Sequence, residues 1–173
     1  PSGLSVPNYA LEIAHEKLMH VIGVRDDLEE FFHIHPSPTA TSGVFAANYT
    51  FRAPGNYKVW SEIKQSGVVH AFGHTPFMVM DVDPVRSSPP EAGATSNGVD
   101  FSRTVAVGGY QISLNLDEPV PVGRDHDLSI SVLGPDGQPV ALADYLGAPM
   151  HLAVIKDGWS EFLHTHPTDD THT

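Results

Sequence analysis

The sequence predicts an all-β protein of the β-sandwich class. Val, Thr, Tyr and Phe occur in short runs, and the runs are broken by 15 Gly and 15 Pro in a chain of 173 residues. Short runs separated by frequent turn residues are typical of antiparallel sandwiches. Helix signals are scarce, because the one helix-compatible segment, residues 10–17, also begins with an alternation that fits a strand.

A linker is predicted at residues 84–98, where the sequence reads PVRSSPPEAGATSNG. The segment has no apolar periodicity and is rich in Pro, Ser, Gly and Ala, which indicates a flexible connection. We therefore expect one β-sandwich module at residues 1–83 and a second at residues 99–173. The second module has almost nothing after its last predicted strand. It would be completed by further residues of a longer parent, by the other module, or by another chain through strand exchange or homo-oligomer formation.

The individual strands are predicted from β-branched and aromatic runs that end at turn residues. In the first module a Pro-Gly turn at residues 54–55 separates two runs, and in the second a turn at residues 134–137 does the same. The first module has predicted strands at residues 9–14, 18–24, 30–35, 44–51, 56–63, 67–72 and 76–82. The second has predicted strands at residues 103–107, 110–116, 127–133, 138–142, 150–156 and 159–166.

Two histidine-rich segments share one spacing. Each places a lone His thirteen residues before the first His of a His-x-His-Pro motif. The residues are His20, His33, His35 and Pro36 in the first copy, and His151, His164, His166 and Pro167 in the second. An ungapped repeat of this kind is the most informative feature for function, because each trio of imidazoles can converge on one point.

In the second copy, a hairpin is predicted to put the three rings on one face. Asp157-Gly158 is a strong signal for a two-residue type I′ turn, which would pair His151 directly with His164. His166 lies two residues further along the strand, so it falls on the same face as His164.

The first copy gives the same arrangement with a weaker turn. A turn centred on Asp26-Asp27 would pair His20 with His33, but Asp-Asp fits the type I′ turn poorly because both central residues need a positive φ. A longer loop through residues 25–29 is the alternative. A slip of one residue in the register would move His20 to the opposite face from His33.

Three imidazoles on one face indicate a metal site. As cations the rings repel each other, and as neutral groups they leave donors and acceptors to satisfy. A divalent metal resolves both problems, since neutral imidazole binds zinc, copper, nickel and iron. The proline after each motif tends to end its strand and leave the site near a solvent-exposed rim. The alternative is a repeat retained for packing, with the rings on a polar sheet surface.

Other histidines are candidate ligands to different degrees. His15 could reach the first trio from a preceding strand. His70 and His74 could supply a fourth ligand or a second site, although a surface strand and turn is the favoured interpretation. His126 is expected in a turn and His172 in a frayed tail.

Two pairs of residues recur beside the motifs. Phe31 and Phe162 share the face of the histidines, so part of that face is expected to be buried. Glu30 and Glu161 fall on the opposite face, which favours a structural role over general-base chemistry.

Composition excludes several classes of function. The formal charge is −12, with 21 acidic residues against 9 basic ones. This balance argues against nucleic acid and anionic membranes as partners and favours cations. The absence of cysteine excludes disulfides, thiolate zinc sites, iron–sulfur clusters and copper centres with a Cys ligand. The sequence contains no run long enough for a transmembrane helix. Since it begins with Pro1 rather than Met, we expect a mature exported protein or a trimmed chain.

The motifs resemble those of the YtkA-like group, small exported Ig-like β-sandwich domains that are similar in fold to CopC-type copper-binding proteins and to cupredoxins. The resemblance implies two copies of a periplasmic or secreted bacterial domain concerned with copper. CopC-type copper(II) sites use an N-terminal His, which Pro1 does not provide, and methionine-rich copper(I) loops are also missing. The matching residues are His20, Phe32, His33, His35, Pro36, Phe51, Pro54, Gly55, Tyr57, Lys58 and Trp60 in the first copy, and Leu146, Gly147, His151, Leu152, Phe162, His164, His166 and Pro167 in the second.

The sequence therefore favours a protein that binds copper, or alternatively zinc, through its two histidine trios for metal handling or resistance. One alternative is a metal-dependent enzyme, because three His with an open fourth position also hold catalytic zinc. No pattern of carboxylates or hydroxyls to shape a substrate pocket accompanies the histidines, so binding is preferred to catalysis. A further alternative is a structural or adhesive β-sandwich module.

Overall fold

The computed structural model describes residues 6–81, 102–116 and 119–167. Every strand pairing in these ranges is antiparallel, and their helical content is limited to 3-10 turns at Asn8–Ala10 and Asp157–Trp159. The predicted all-β fold class is confirmed. None of the helical turns described has the length and apolar character needed to cross a membrane. The strands are β1 Met19–Arg25, β2 Phe31–Ile34, β3 Ser37–Pro38, β4 Phe45–Ala46, β5 Gly55–Gln65, β6 Val68–Gly73, β7 Phe77–Val79, β8 Thr104–Val107, β9 Tyr110–Asn115, β10 Ser129–Leu133, β11 Leu152–Ile155 and β12 Phe162–Thr165.

Contacts divide the chain into two compact units. The first contains Pro1–Ser96 together with Asp144–Thr173, and the second contains Asn97–Ala143. This division differs from the predicted second module of residues 99–173, because the second histidine hairpin packs on the sheet of the N-terminal part. The predicted linker at residues 84–98 lies outside the described residues.

One sheet of the first unit carries both histidine segments. Its strands are ordered β2-β1-β5-β6, and β7 also pairs with β5. β1 places His20 opposite Glu62 and Ile22 opposite Trp60 on β5. These four side chains share one face, because directly opposed and alternating residues of a sheet project to the same side. The β11–β12 hairpin covers this face, where the ring of Phe162 stacks on Trp60 with centroids 4.9 Å apart.

The opposite face of the sheet carries an aromatic core. Phe32 on β2 stacks against Tyr49 with ring centroids 4.1 Å apart. Phe51 meets Tyr57 edge-on at 4.8 Å and Phe77 at 5.8 Å. Tyr57 is fully buried. Large rings in edge-to-face contact account for much of the burial of a small sandwich, so this face provides the stability on which the histidine face depends.

Gly23 on β1 leaves the space that the ring of Phe32 occupies, because it has no side chain. A Cβ at this position would lie 2.1 Å from Cζ of Phe32, which no flexible movement of a side-chain end can relieve. We expect Gly23→Ala to lower the free energy of unfolding by about 1–3 kcal/mol, as overpacking does. Urea unfolding monitored by tryptophan fluorescence measures this. A matched change is Gly67→Ala, where nothing lies within 4 Å and only the backbone cost of a positive φ, about 1 kcal/mol, is expected. Equal losses in the two variants would contradict the packing argument.

The register of the second histidine hairpin differs from the prediction. Ala153 lies opposite His164, whereas the sequence predicts His151 there. The type I′ turn is wrong because the loop contains the four residues 157–160 instead of two. A backbone hydrogen bond from Lys156 N to Glu161 O, 3.0 Å long, closes that loop. An even shift keeps every residue on its predicted face, so the three histidines still project from one side.

The first hairpin repeats this geometry. Ile22 faces His33, so the predicted direct pairing of His20 with His33 is also wrong by two residues. The longer loop considered for this copy is confirmed, since Arg25 N donates to Glu30 O across four residues. Leu28 in this loop and Trp159 in the second loop adopt positive φ angles of 64° and 60°. The two hairpins therefore share a loop geometry that their different residues do not reveal.

Three predicted strands form only isolated bridges or a two-residue pairing. The segment at 9–14 contains a 3-10 turn and an isolated bridge between Glu12 and Lys64. Only Phe45–Ala46 of the predicted 44–51 strand pairs, with β3. The predicted 138–142 strand is reduced to a bridge between Leu133 and Pro139, and proline has no N–H with which to continue a ladder.

The second unit contains a three-stranded antiparallel sheet of order β10-β9-β8. The turn between β8 and β9 is formed by Gly108 and Gly109, with φ angles of 59° and 85°. Two consecutive positive φ angles define the type I′ class of hairpin turn, which favours glycine.

Candidate metal centre

Seven histidines of the first unit form one cluster. The rings of His33 and His164, from different hairpins, have centroids 5.1 Å apart. His15, predicted as an additional ligand for the first trio, stacks on His166 of the second trio at 3.6 Å and lies 6.1 Å from His20 between ring centroids. The histidines of the two predicted trios lie together in one cluster and do not form two separate sites. The members are His15, His20, His33, His35, His151, His164 and His166.

The first trio presents nitrogen atoms that face one another. Nδ1 of His20 lies 3.0 Å from Nε2 of His33. The ligand atoms of His20, His33 and His35 lie within 4.8 Å of one another. Nε2 of His35 is buried without a hydrogen-bond partner. A buried polar atom of this kind calls for a ligand, and a metal ion among three nitrogens would satisfy it.

A backbone carbonyl fixes the tautomer of His20. Its Nε2 lies 2.9 Å from the carbonyl oxygen of Ala14. A carbonyl oxygen only accepts hydrogen bonds, so Nε2 must carry the proton and donate it. In the neutral ring this leaves the lone pair on Nδ1, the nitrogen that faces His33. The main chain thus assigns the ligand atom, as outer hydrogen bonds of metal-bound histidines commonly do.

The second trio has the same construction. Nδ1 of His151 lies 3.3 Å from Nε2 of His164 and 2.8 Å from Nε2 of His166. Nε2 of His151 donates to the carbonyl oxygen of Tyr145 at 2.8 Å. That carbonyl lies six residues before its histidine, as Ala14 lies six residues before His20.

A short turn before each hairpin places these carbonyls. Ala14 and Lys17 form an antiparallel bridge, as do Tyr145 and Ala148. The residues between them have positive φ angles of 45° and 65° in the first turn and 52° and 76° in the second. Two positive φ angles in succession are uncommon outside glycine and asparagine. Both copies therefore hold a disfavoured backbone conformation in the turn whose carbonyl accepts a hydrogen bond from the lone His.

The nitrogen separations fit a coordination sphere. A tetrahedral ion with metal–nitrogen bonds of about 2.0–2.1 Å holds its ligand nitrogens roughly 3.3–3.4 Å apart. The observed separations of 2.8–3.3 Å are close to that value. The cluster could therefore hold a metal ion with little rearrangement. A second possible group is formed across the hairpins by His33, His151 and His164, whose ligand atoms also lie within 4.8 Å of one another.

Glu62 is a functional residue that the sequence reasoning missed. It is buried on β5, and its Oε1 lies 3.2 Å from Nδ1 of His164. The side chains of His164 and Glu62 are 1% and 7% exposed. A carboxylate that accepts from Nδ1–H leaves Nε2 of His164 free to bind a metal and fixes the orientation of the ring. The available signal was alternation along β5, which puts Glu62 on the same face as Trp60.

Burial keeps several rings uncharged. It lowers the pKa of His33 to about 3, and neighbouring histidines add to the effect. Burial is also the main cause that lowers the pKa values of His35 and His166 to about 4. The pKa values of His15 and His20 are lowered chiefly by burial as well. A metal binds the neutral imidazole, so this environment keeps the ligands competent below their ordinary range.

We expect Glu62→Gln to weaken metal binding about 10–100-fold, the usual loss when an outer partner of a ligand is changed. The amide retains the size of the side chain but removes the negative charge opposite His164. Competition titration against a chromophoric chelator measures the change. Glu12→Gln is the matched control, since Glu12 lies on the surface opposite Lys64 and its loss should leave affinity unchanged. A decrease of equal size in both variants would show that overall charge is responsible.

The other histidines considered as metal ligands do not belong to the described cluster. His70 is exposed on β6 and pairs with Ile63, on the sheet face away from Glu62. Nε2 of His74 lies 2.7 Å from Oγ of Ser61. His126 lies in the second unit, where its Nε2 donates to the carbonyl of Pro121. His172 lies outside the described residues.

The recurring glutamates and phenylalanines lie on the faces that alternation predicts, although Phe31 is 49% exposed. Glu30 is buried and accepts hydrogen bonds from two tyrosines, while Glu161 pairs with Lys156 at the surface. Both are structural contacts on the side away from the histidines. Phe162 lies on the histidine face as predicted and stacks on Trp60.

The fold and the site define an all-β protein with a histidine cluster that could hold a metal ion. The chain belongs to the family described as Domain of unknown function (DUF8832), whose model matches residues 4–80 and 104–173. No curated protein matches the chain. No solved structure matches it either.

Proposed function

We propose that the protein is an exported bacterial metal-binding protein that takes up copper, or alternatively zinc, through the histidines of both hairpins for metal handling or resistance. One observation carries the proposal. In both trios a backbone carbonyl accepts a hydrogen bond from Nε2 of the lone His and so holds its Nδ1 lone pair toward its partners. Chance packing of a polar surface gives no reason for the same tautomer to be fixed twice.

Copper is favoured over zinc on chemical grounds. The ligands are all imidazole nitrogens, which suit both metals, and copper(II) binds such sites more tightly in the order of divalent metals. The chain provides no thiolate, since it has no cysteine. Its formal charge of −12 attracts cations in general. Export to the periplasm or beyond agrees with the resemblance to YtkA-like domains and is part of the proposal.

The test is a titration of the metal-free protein with Cu(II) and Zn(II) by calorimetry. We expect binding to the wild type, and a lower capacity or affinity in His33→Ala and in His164→Ala, because each variant removes one ligand from the cluster. The control is His70→Ala, which removes an exposed histidine on the other face and should bind as the wild type does. Unchanged capacity and affinity in both His33→Ala and His164→Ala, or no binding by the wild type, would overturn the proposal.

A further inference from the structure

The two trios correspond residue for residue. His151, His164 and His166 follow His20, His33 and His35 by one constant interval. The donor atoms correspond too. Nδ1 of the lone His faces Nε2 of the next His in each copy, at 3.0 Å and 3.3 Å. The last His presents Nε2 in both, buried without a hydrogen-bond partner in His35 and 2.8 Å from His151 in the second copy.

Each hairpin brings three imidazoles of its own together: Nδ1 of His20 lies 3.0 Å from Nε2 of His33, and Nδ1 of His151 lies within 3.3 Å of Nε2 in each of its two partners. Three nitrogens from one rigid hairpin suffice to hold copper or zinc, with a fourth position left open. The carbonyl that fixes each lone His comes from the turn next to the same hairpin, Ala14 for the first and Tyr145 for the second. An ion bound by one trio therefore does not use up the ligands of the other.

The trios also face each other at short range. His33 lies 5.6 Å from His151 and 5.1 Å from His164 between ring centroids. The centroids of His20 and His164 are 5.8 Å apart. The ligand atoms of the facing set, His33, His151 and His164, lie within 4.8 Å of one another. With metal–nitrogen bonds of about 2.0–2.1 Å, two ions held by the two trios would lie at most on the order of 9 Å apart.

We infer that the cluster binds two metal ions as one binuclear centre, one ion in each trio, with the two ions close enough to interact. This inference rests on the proposed function, because it needs the histidines to bind metal at all. It goes beyond that function in the number of ions and in their coupling. Two independent sites, which the repeat alone suggests, would not interact in this way.

The charges around the cluster determine the order of binding. Six neutral imidazoles contribute no negative charge, and the carboxylate that reaches the cluster is Glu62, at His164. Two divalent ions within about 9 Å repel each other through a partly buried environment. The second Cu(II) should therefore bind with a dissociation constant at least about tenfold higher than the first. Because Glu62 contacts the second trio, the first ion is expected there.

The experiment is a Cu(II) titration of the whole protein followed by electron paramagnetic resonance and by calorimetry. We expect two ions per chain. The first should give an ordinary mononuclear spectrum, and the second should broaden or abolish it and produce a half-field transition, because two spins at this distance couple.

Variants of the outermost histidines assign the ions. His35→Ala and His166→Ala each disable one trio and leave the other complete, so each should bind one ion and keep a mononuclear spectrum at every copper ratio. His126→Ala is the control, since His126 lies in the second unit and should leave the capacity at two. Circular dichroism of the metal-free variants checks that they fold. Should one variant unfold, the wild-type spectrum at the second equivalent still decides the matter.

Three results would count against the inference in distinguishable ways. A single ion per wild-type chain with an ordinary spectrum would overturn the binuclear centre and leave the proposed function standing. Two ions with simply additive spectra would show independent sites, which also overturns it. Absence of any bound ion would overturn the proposed function and this inference together.

Discussion

Lowering the pH from 7 to 5 is expected to destabilise the metal-free protein markedly. Burial holds the pKa of His33 at about 3 and those of His35 and His166 at about 4 in the folded chain. In the unfolded chain the same groups titrate near about 6.5. Between these values the unfolded state binds more protons than the folded state, so the free energy of unfolding falls as the pH falls. The three rings together correspond to roughly one to three additional protons taken up on unfolding.

The window from pH 7 to 5 isolates the histidines, because carboxylates remain ionised there. Glu62 faces the same cluster and raises the pKa of His166, while His15 and the other rings lower it, and the net direction is downward. Urea midpoints at pH 7 and pH 5 measure the effect. In His33→Gln the difference between the two midpoints should shrink, and in His70→Gln, on the exposed β6, it should stay the same. Equal midpoints at the two pH values in the wild type would contradict the argument.

Bound metal should raise the stability without removing this dependence, because metal-bound rings carry no proton in the folded state. An ion that binds the folded state at a free concentration of 100 times its dissociation constant adds about 2.7 kcal/mol of stability. Protons compete with the metal for the same nitrogens, so the stabilisation by metal weakens as the pH falls. The acid sensitivity of the metal-free protein and its affinity for metal thus have one origin, a set of rings kept neutral by burial.

The face of each histidine was predictable from the sequence, but the register was not. Alternation along a strand depends only on parity, and the observed shift of two residues preserves it. The register depends on loop length, and here Leu28 and Trp159 adopt positive φ angles that their residue types disfavour. Asp157-Gly158 fits the sequence preference of a two-residue hairpin loop. The observed loop has four residues, because the closing hydrogen bond joins Lys156 to Glu161. Local turn signals therefore predicted a hairpin and its faces without its pairing.

The fusion of the two trios into one cluster was not predictable from local pattern. It depends on the second hairpin packing across β1 and β5, through the stack of Phe162 on Trp60 and the contact of His164 with Glu62. These contacts join residues about a hundred positions apart, since His164 and Glu62 are separated by 102. Alternation marks Glu62 as inward-facing, but only the tertiary structure shows what it meets. The role of His15 against His166 was missed for the same reason.

Glu30 and Glu161 occupy equivalent positions in the repeat and have different environments. Glu30 is 2% exposed and accepts hydrogen bonds from the hydroxyls of Tyr49 and Tyr57 and from the backbone N–H of Arg52. Burial alone would raise its pKa, but these hydrogen bonds outweigh burial and lower it. Burial and the carboxylate together raise the pKa of Tyr57 to about 12. The side chain of Glu161 is 71% exposed and contacts Lys156.

Replacing Glu30 by Ala is accordingly expected to lower the free energy of unfolding by about 3–5 kcal/mol, because it removes a buried acceptor shared by two tyrosine hydroxyls and a backbone N–H, with each lost hydrogen bond costing about 1–3 kcal/mol. Glu161→Ala is a control matched by the repeat itself, and the loss of an exposed ion pair should cost about 0–1 kcal/mol. Chemical unfolding of both variants above pH 7 measures these two free-energy losses. At that pH the histidines are neutral in the folded and unfolded chains, so their titration does not contribute. Glu30 immediately precedes β2, which positions His33 and leads to His35. Its loss should therefore weaken metal binding by the first trio more than binding by the second. Comparable losses of stability in the two variants would show that the hydrogen bonds to Glu30 contribute no more than a surface contact does.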